Sequence, residues 1–409
     1  MPKSILINKK INSFKKKINV NPDKSLSIRF AILASLAIGK SKAFNLSDAD
    51  DIKTTLACLK NLGVPIKFTK NYCEITGKGL FNYKYKKNLT LNAGNSGTAA
   101  RLISSILIKS PEIIKITGDQ SLKKRDMTRI IEPLKKFGAR FKKNNGKLPL
   151  SIRGSKFIHS INYQELRGSA QVKSACCLAA LASLGTTKLK CKTSRNHTEL
   201  LLKYLKVPIV IKKTKKYDFI KIKGGKKIKS FNYKLSGDIS SASFLIVLTL
   251  LSEKSQLTIK NVNVNPTRTG IISILNKMGA SIKLKNKRSY KGEQTADIIT
   301  RSVKNLKAIN LPKKFNNSSA IDEFLLIFIC CAFARGTSTF RGLEELNKKE
   351  SKRLDWGFKI LKMIGIKTKK INNHGIKIFG NPDLELKNSY VIKNYLKDHR
   401  IAMCTTILA

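Results

Sequence analysis

A short polar cluster followed at once by an apolar helical run recurs six times along this 409-residue chain, and no other feature constrains the fold as much. The copies are Lys24-Ser25-Leu26-Ser27 before Phe30–Ala37, Gly94-Asn95-Ser96-Gly97 before Ala99–Ile108, and Gly168-Ser169-Ala170-Gln171 before Ala175–Leu184. Gly237-Asp238-Ile239-Ser240, Ile321-Asp322-Glu323 and Asp398-His399-Arg400 open the other three runs. The starts lie roughly 75 residues apart, a period that means repeated supersecondary units. A second signal keeps step with the first. Helical patterns close on Leu62-Gly63-Val64, Phe137-Gly138-Ala139, Met278-Gly279-Ala280 and Ile364-Gly365-Ile366, where glycine supplies the left-handed residue past a helix end. In the remaining copy, Leu205-Lys206-Val207, lysine takes that place. Strand-like stretches fill the gaps, among them Glu74–Thr76, Ile113–Thr117, Leu150–Arg153, Leu257–Lys260, Ser338–Arg341 and Ile376–Phe379. Each unit therefore reads as strand, helix, strand, helix, strand. Since 409 residues exceed what one core usually holds, the pattern predicts an α/β (α+β) fold of two domains, each of three βαβαβ units.

The count leaves one helix ending over: six starts but five closures. The expectation is that the last unit lacks its end, and that Ile401, Ala402, Met403, Ile407 and Leu408 form a helix face with part of its cover missing, at the expense of stability and activity.

Composition narrows the function classes. Hydrophobic and charged fractions of 42% and 26% are those of an ordinary globular protein, but 81 Lys+Arg against 25 Asp+Glu give +56, which points to anionic partners. Much of that excess is lysine, which together with frequent isoleucine and asparagine follows A+T-rich codon usage. The longest apolar run, Phe324–Ala334, is too short to span a bilayer, and Met1–Asn19 has no apolar leader core. The eight cysteines form no CxxC pair, and Cys176, Cys177, Cys330, Cys331 and Cys404 fall in apolar runs, so neither zinc site nor disulfide framework is expected and the chain reads as cytoplasmic.

A helix N-terminus presents free N–H groups and the positive end of its dipole. Ser, Asp or Asn there serve as N-caps, as expected for Asp238 and Asp398, or help to bind an external anion. Lys24, Arg29, Arg101, Lys173 and Arg400 place cations where the dipole opposes them, which favours the anion. Arg125 follows the strand that ends near Asp119, and Lys349 and Arg353 share a helix face at i and i+4 with Glu350 beside them. Acids are scarce, so Asp322-Glu323 and Glu350 stand out as candidates for proton transfer. His399 is read as structural. Gly-rich nucleotide motifs are absent.

These motifs resemble those of the 5-enolpyruvylshikimate-3-phosphate synthase family. The residues that carry the resemblance are Pro22-Asp23-Lys24-Ser25-Leu26-Ser27-Ile28-Arg29, Gly94–Arg101, Ser169-Ala170-Gln171-Val172-Lys173-Ser174, Arg195-Asn196-His197-Thr198-Glu199, Gly237–Ala242, Asn265-Pro266-Thr267-Arg268-Thr269-Gly270, Ile321-Asp322-Glu323, Lys349–Arg353 and Asp398–Met403. They run in order from about Lys17 onward. The resemblance implies two domains of three units, 22–235 and 1–21 plus 236–409, with helix N-termini facing an interdomain cleft. It implies transfer of the enolpyruvyl group of phosphoenolpyruvate to the 5-hydroxyl of shikimate 3-phosphate with release of phosphate, by addition and elimination, in the shikimate pathway of aromatic amino-acid biosynthesis. No metal or organic cofactor, nucleic acid or membrane partner is implied, and the protein is expected to be a monomer.

Carried over by motif, Lys24, Ser25, Arg29, Ser169, Gln171, Ser194, Lys349 and Asp322 would hold shikimate 3-phosphate. Lys24, Asn95, Gly97, Arg125, Gln171, Arg353 and Arg400 would hold phosphoenolpyruvate. Asp322 would take the proton of the attacking hydroxyl, and Glu350 or Lys24 would move the proton at the enol methylene. The resemblance also implies that Gly97 borders the phosphoenolpyruvate pocket, where an alanine obstructs the inhibitor glyphosate. Ile28 stands where relatives have His or Asn, Asp126 where they have Pro, and Asn347 and Lys352 where they have Arg and Asp. The family also continues past the equivalent of Ala409 with a segment carrying one more phosphoenolpyruvate-binding lysine, so an inactive, shortened relative is an alternative. The sister family that acts on UDP-N-acetylglucosamine uses a loop cysteine, and no cysteine lies near Arg125. A nucleic-acid binder would show basic stripes with exposed aromatics, but aromatics are only 7%.

Overall fold

The computed structural model describes residues 6–7, 11–69, 72–142, 145–312, 314–386, 390–393, 395 and 398–409. Its helices are α1 (Lys24–Leu36), α2 (Asp50–Asn61), α3 (Gly97–Ile106), α4 (Gln120–Lys123), α5 (Thr128–Lys136), α6 (Ala170–Ala180), α7 (His197–Tyr204), α8 (Ile239–Leu251), α9 (Gly270–Lys277), α10 (Phe324–Ala332), α11 (Arg353–Met363) and α12 (His399–Leu408). The six polar-to-apolar starts are the starts of α1, α3, α6, α8, α10 and α12. The glycine-closed patterns belong to α2, α5, α9 and α11, and the lysine-closed one to α7.

The described strands form five sheets built to one plan. In one of them Thr90–Asn92 lies parallel to Ile114–Thr117, which pairs antiparallel with Leu150–Arg153, which in turn pairs antiparallel with Arg140–Phe141. Parallel neighbours need a crossover, and α3 supplies it. The order first, second, fourth, third recurs in every sheet. The unit is thus βαβαββ, one strand longer than the sequence reading. The added hairpin strand is as short as two residues in Arg140–Phe141 and three in Ile66–Phe68, and in Lys283–Tyr290, where it is eight residues long, it is mostly polar and exposed. Two sheets take their first strand from far away in the chain. Lys15–Ile18 lies parallel to Gln256–Asn263, and Ile228–Lys229 and Asn232–Lys234 lie parallel to Ala37–Phe44.

The chain divides into two compact units, one of residues 1–21, 237–288 and 294–409, the other of residues 22–236 and 289–293. Each has its own apolar core, with Phe30, Ile103, Ile152 and Leu201 in the second and Ile259, Leu275, Phe324 and Phe340 in the first. The segment Ser289–Glu293 counts with residues 22–236 because its side chains are held there. Glu293 meets buried His197 (Nδ1 to Oε1 2.6 Å), the Tyr290 ring stands edge-on to Tyr233 with centroids 5.2 Å apart, and the Lys291 ammonium lies over Tyr204 at 4.9 Å.

α10 is apolar all round, and all nine of its residues are buried. The eight cysteines are buried and free, and burial pushes the Cys58 and Cys191 thiols up to about 12, which makes them packing residues rather than nucleophiles. In α12, Ile401 and Cys404 are core residues, which corrects the expectation for Ile401. Met403 is 39% exposed and Ile407 and Leu408 pack partly buried against the core. No described helix is long and apolar enough to cross a membrane.

All five second helices end on a residue with positive φ: Gly63 (79°), Gly138 (110°), Gly279 (97°), Gly365 (79°) and, in the third copy, Lys206 (57°). A side chain at αL costs about 1–2 kcal/mol, partly offset by the lower chain entropy of a non-glycine residue. Lys206→Gly is therefore expected to stabilise the protein by about 0.5–1 kcal/mol in urea denaturation; an unchanged or lower midpoint would show that Lys206 carries no αL strain.

Candidate active site

In the unit containing residues 237–288 and 294–409, α10 packs against α8, α9, α11 and α12, so the starts of several helices meet. Asp238 caps α8 through Ser240 N (2.8 Å) and Asp398 caps α12 through Arg400 N (3.0 Å), as the sequence indicated. Both do more than cap. Asp238 also accepts from Arg268 (3.0 Å), and Asp398 accepts from Arg353 Nε (3.0 Å) and Ser351 Oγ (2.8 Å).

This network gathers the expected residues of the unit. Arg353 Nη1 donates to Asp322 Oδ1 at 3.1 Å, and Lys349 Nζ stands 3.5 Å from the same oxygen. Arg400 Nη1 donates to the Asp322 carbonyl at 2.9 Å, and its Nη2 lies 3.8 Å from the carboxylate. Glu350 accepts from Arg353 Nη2. Arg353 is 2% exposed. Burial works against its charge, but Glu350, Asp398 and Asp322 outweigh that, so its pKa is pushed further up and it stays a cation. Exposure sorts the carboxylates: Asp322 (13%) and Glu350 (26%) can be reached by a ligand, whereas Asp398 and Glu323 (both 0%) cannot. Of the adjacent pair Asp322-Glu323, only Asp322 is open to proton transfer with a substrate.

In the unit of residues 22–236, Ser96 caps α3 (3.2 Å to Ala99 N) and Ser169 caps α6 (3.4 Å to Val172 N). Arg125 Nη2 donates to Asn95 Oδ1 at 2.6 Å. A Cβ added at Gly97 would meet the Arg101 and Arg125 guanidinium groups at 2.7 and 2.9 Å. Arg101 donates to Gln171 Oε1 at 2.8 Å, and Gln171 donates to Thr98 Oγ1 at 2.9 Å. Asn95, Gly97, Arg125 and Gln171 thus form one neighbourhood. Lys24 pairs with Asp51 at 3.2 Å. Arg29 is buried and donates to Thr198 Oγ1, Ser174 Oγ and the Ser25 carbonyl. Ser194 is 1% exposed and its Oγ has no hydrogen-bond partner among the described residues. Asp126 accepts from Thr128 N at 2.8 Å, and its carbonyl accepts from Arg101 at 3.0 Å; polar contacts pin the loop.

Lys173 departs from the reading as an anion-binding cation. It is fully buried, 2.7 Å from Glu199 and 3.3 Å from Asp218, and it donates to the Ser194 carbonyl. The carboxylates lie on α7 and on the strand Tyr217–Lys223, too far along the chain for local sequence to reveal.

The sequence model of EPSP synthase (3-phosphoshikimate 1-carboxyvinyltransferase) matches residues 8–409. The chain belongs to this family. A 3-phosphoshikimate 1-carboxyvinyltransferase of Ruthia magnifica subsp. Calyptogena magnifica is 40% identical over 98% of this chain and 89% of the relative. One from Petrotoga mobilis is 38% identical over 95% and 89%. The solved EPSP synthase of Acinetobacter baumannii superposes with a TM-score of 0.80 at 34% identity, over 97% of this chain and 89% of that one. Members of the EPSP synthase family are transferases, and this chain is one.

Sequence reasoning gave no role to Arg268, Thr198 or Asp398 beyond motif membership or capping. Their signal was the pairing of a buried charge with a distant partner. The Lys173 cluster offers a direct check. Lys173→Ala leaves two buried carboxylates without their cation, expected to destabilise the protein by about 3–5 kcal/mol in urea melts. A loss below about 1 kcal/mol would return Lys173 to the list of ligand-binding cations.

Proposed function

We propose that the two neighbourhoods of charged helix starts hold shikimate 3-phosphate and phosphoenolpyruvate as this family's reaction requires, and that the network around Asp322 carries the chemistry. Lys24, Ser25, Arg29, Ser169, Gln171, Ser194 and Lys349 bind shikimate 3-phosphate. Lys24, Asn95, Gly97, Arg125, Gln171, Arg353 and Arg400 bind phosphoenolpyruvate, whose carboxylate and phosphate suit the paired N–H groups of guanidinium.

The 5-hydroxyl oxygen attacks C2 of phosphoenolpyruvate while its proton passes to Asp322. The methylene carbon takes up a proton, for which Glu350 and Lys24 are the two candidate donors, giving a tetrahedral intermediate. The bond from C2 to the phosphate oxygen then breaks, phosphate leaves, and the group that protonated the methylene takes a proton back from the methyl group to restore the enol ether. Cations placed where the phosphate charge grows lower the barrier to its departure. The observation that supports this reading most is that Asp322, reachable and held by Arg353 with Lys349 and Arg400 nearby, is a carboxylate whose cationic neighbours can pass to an arriving anion.

Asp322→Ala is expected to lower turnover about a hundredfold or more while both substrates still bind. Near-normal turnover, with binding measured by titration, would remove Asp322 from this role. Glyphosate tests the other neighbourhood. Gly97→Ala would press on Arg101 and Arg125. It is expected to raise the glyphosate inhibition constant more than the KM for phosphoenolpyruvate. An unmodified enzyme indifferent to millimolar glyphosate would contradict the assignment of Gly97.

A further inference from the structure

Glu323 occupies the N-cap position of α10 but makes no side-chain cap. Its carboxylate is fully buried. Oε1 accepts from Ser240 Oγ and lies 3.7 Å from Arg400 Nη1, and Oε2 has no hydrogen-bond partner among the described residues. Behind it, Ser240 Oγ accepts from Arg268 Nη2 at 3.0 Å, and the same Nη2 donates to Asp238. A chain of polar contacts thus runs from the α8 cap through Ser240 and Glu323 to Arg400 on α12.

A buried carboxylate that neither caps its helix nor fills its hydrogen bonds is expensive to keep. Its ionic partner Arg400 is 9% exposed and is also fixed by the Asp322 carbonyl. From the geometry we infer that Glu323 is a positioning residue: it fixes the Arg400 guanidinium from behind in the orientation that receives phosphoenolpyruvate, with Arg268 and Ser240 fixing Glu323 in turn. This deepens the assignment of Arg400 made above and rests on it. Glu323 itself does not touch substrate. Among the described residues Glu323 forms its ion pair with Arg400, so the effect should fall on one substrate.

The test is steady-state kinetics of the full chain. Glu323→Gln keeps the volume and an acceptor for Ser240 but removes the charge opposite Arg400, so it avoids the cavity that Glu323→Ala would open. Misplacing a binding group costs roughly tenfold to a hundredfold. The expected result is a rise of about tenfold in KM for phosphoenolpyruvate, with KM for shikimate 3-phosphate within about twofold. In an Arg400→Ala background the same substitution should change KM for phosphoenolpyruvate less than about twofold, because the two residues act as one unit. An unchanged KM, equal rises for both substrates, or an undiminished effect without Arg400 would overturn the inference. If Arg400→Ala alone leaves phosphoenolpyruvate binding intact, the assignment of Arg400 falls and this inference with it. If Arg400→Ala weakens binding but Glu323→Gln does not, only the inference falls.

Discussion

The pairing of Arg353 with Asp398 holds the rest of the candidate site in place. A guanidinium with 2% exposure persists only where carboxylates answer its N–H groups, and Asp398 answers Nε at 3.0 Å from a fully buried position. The same carboxylate caps α12 and so fixes the start of the helix that carries Arg400. Arg353 then extends its other nitrogens to Asp322 and Glu350, the two carboxylates a ligand can reach. Removing either partner of the central pair would leave a buried charge unanswered and release the α11 and α12 starts together.

The local charge balance differs from that of the whole chain. The sequence carries +56, yet Arg268, Lys349, Arg353 and Arg400 are matched in this network by Asp238, Asp322, Glu323, Glu350 and Asp398. Each of these cations therefore already has a carboxylate partner. The excess lysine lies elsewhere, as in the facing pair Lys188 and Lys221 on neighbouring strands.

The repeat and most helix starts were legible because they are written locally. Asp23, Ser96, Ser169, Asp238 and Asp398 each stand just before an apolar run and cap it within three residues. Long-range pairing was not legible. Lys173 resembled an anion-binding cation because Glu199 and Asp218 lie later in the same unit, on α7 and on the strand Tyr217–Lys223, and the link of Glu323 to Ser240 spans 83 residues. The third-copy closure could be read as an exception but not resolved; Lys206 adopts the conformation that glycine holds in the other copies. The motif residues identified the family, while the division of labour inside the buried network needed coordinates.

The central claim is that these helix starts support enolpyruvyl transfer. Phosphorus NMR of the purified chain with phosphoenolpyruvate and shikimate 3-phosphate tests it most directly. The account predicts that both substrate signals fall together while inorganic phosphate and one new phosphomonoester rise in equal amounts. Unchanged signals for both substrates, or phosphate released from phosphoenolpyruvate while shikimate 3-phosphate stays intact, would contradict it.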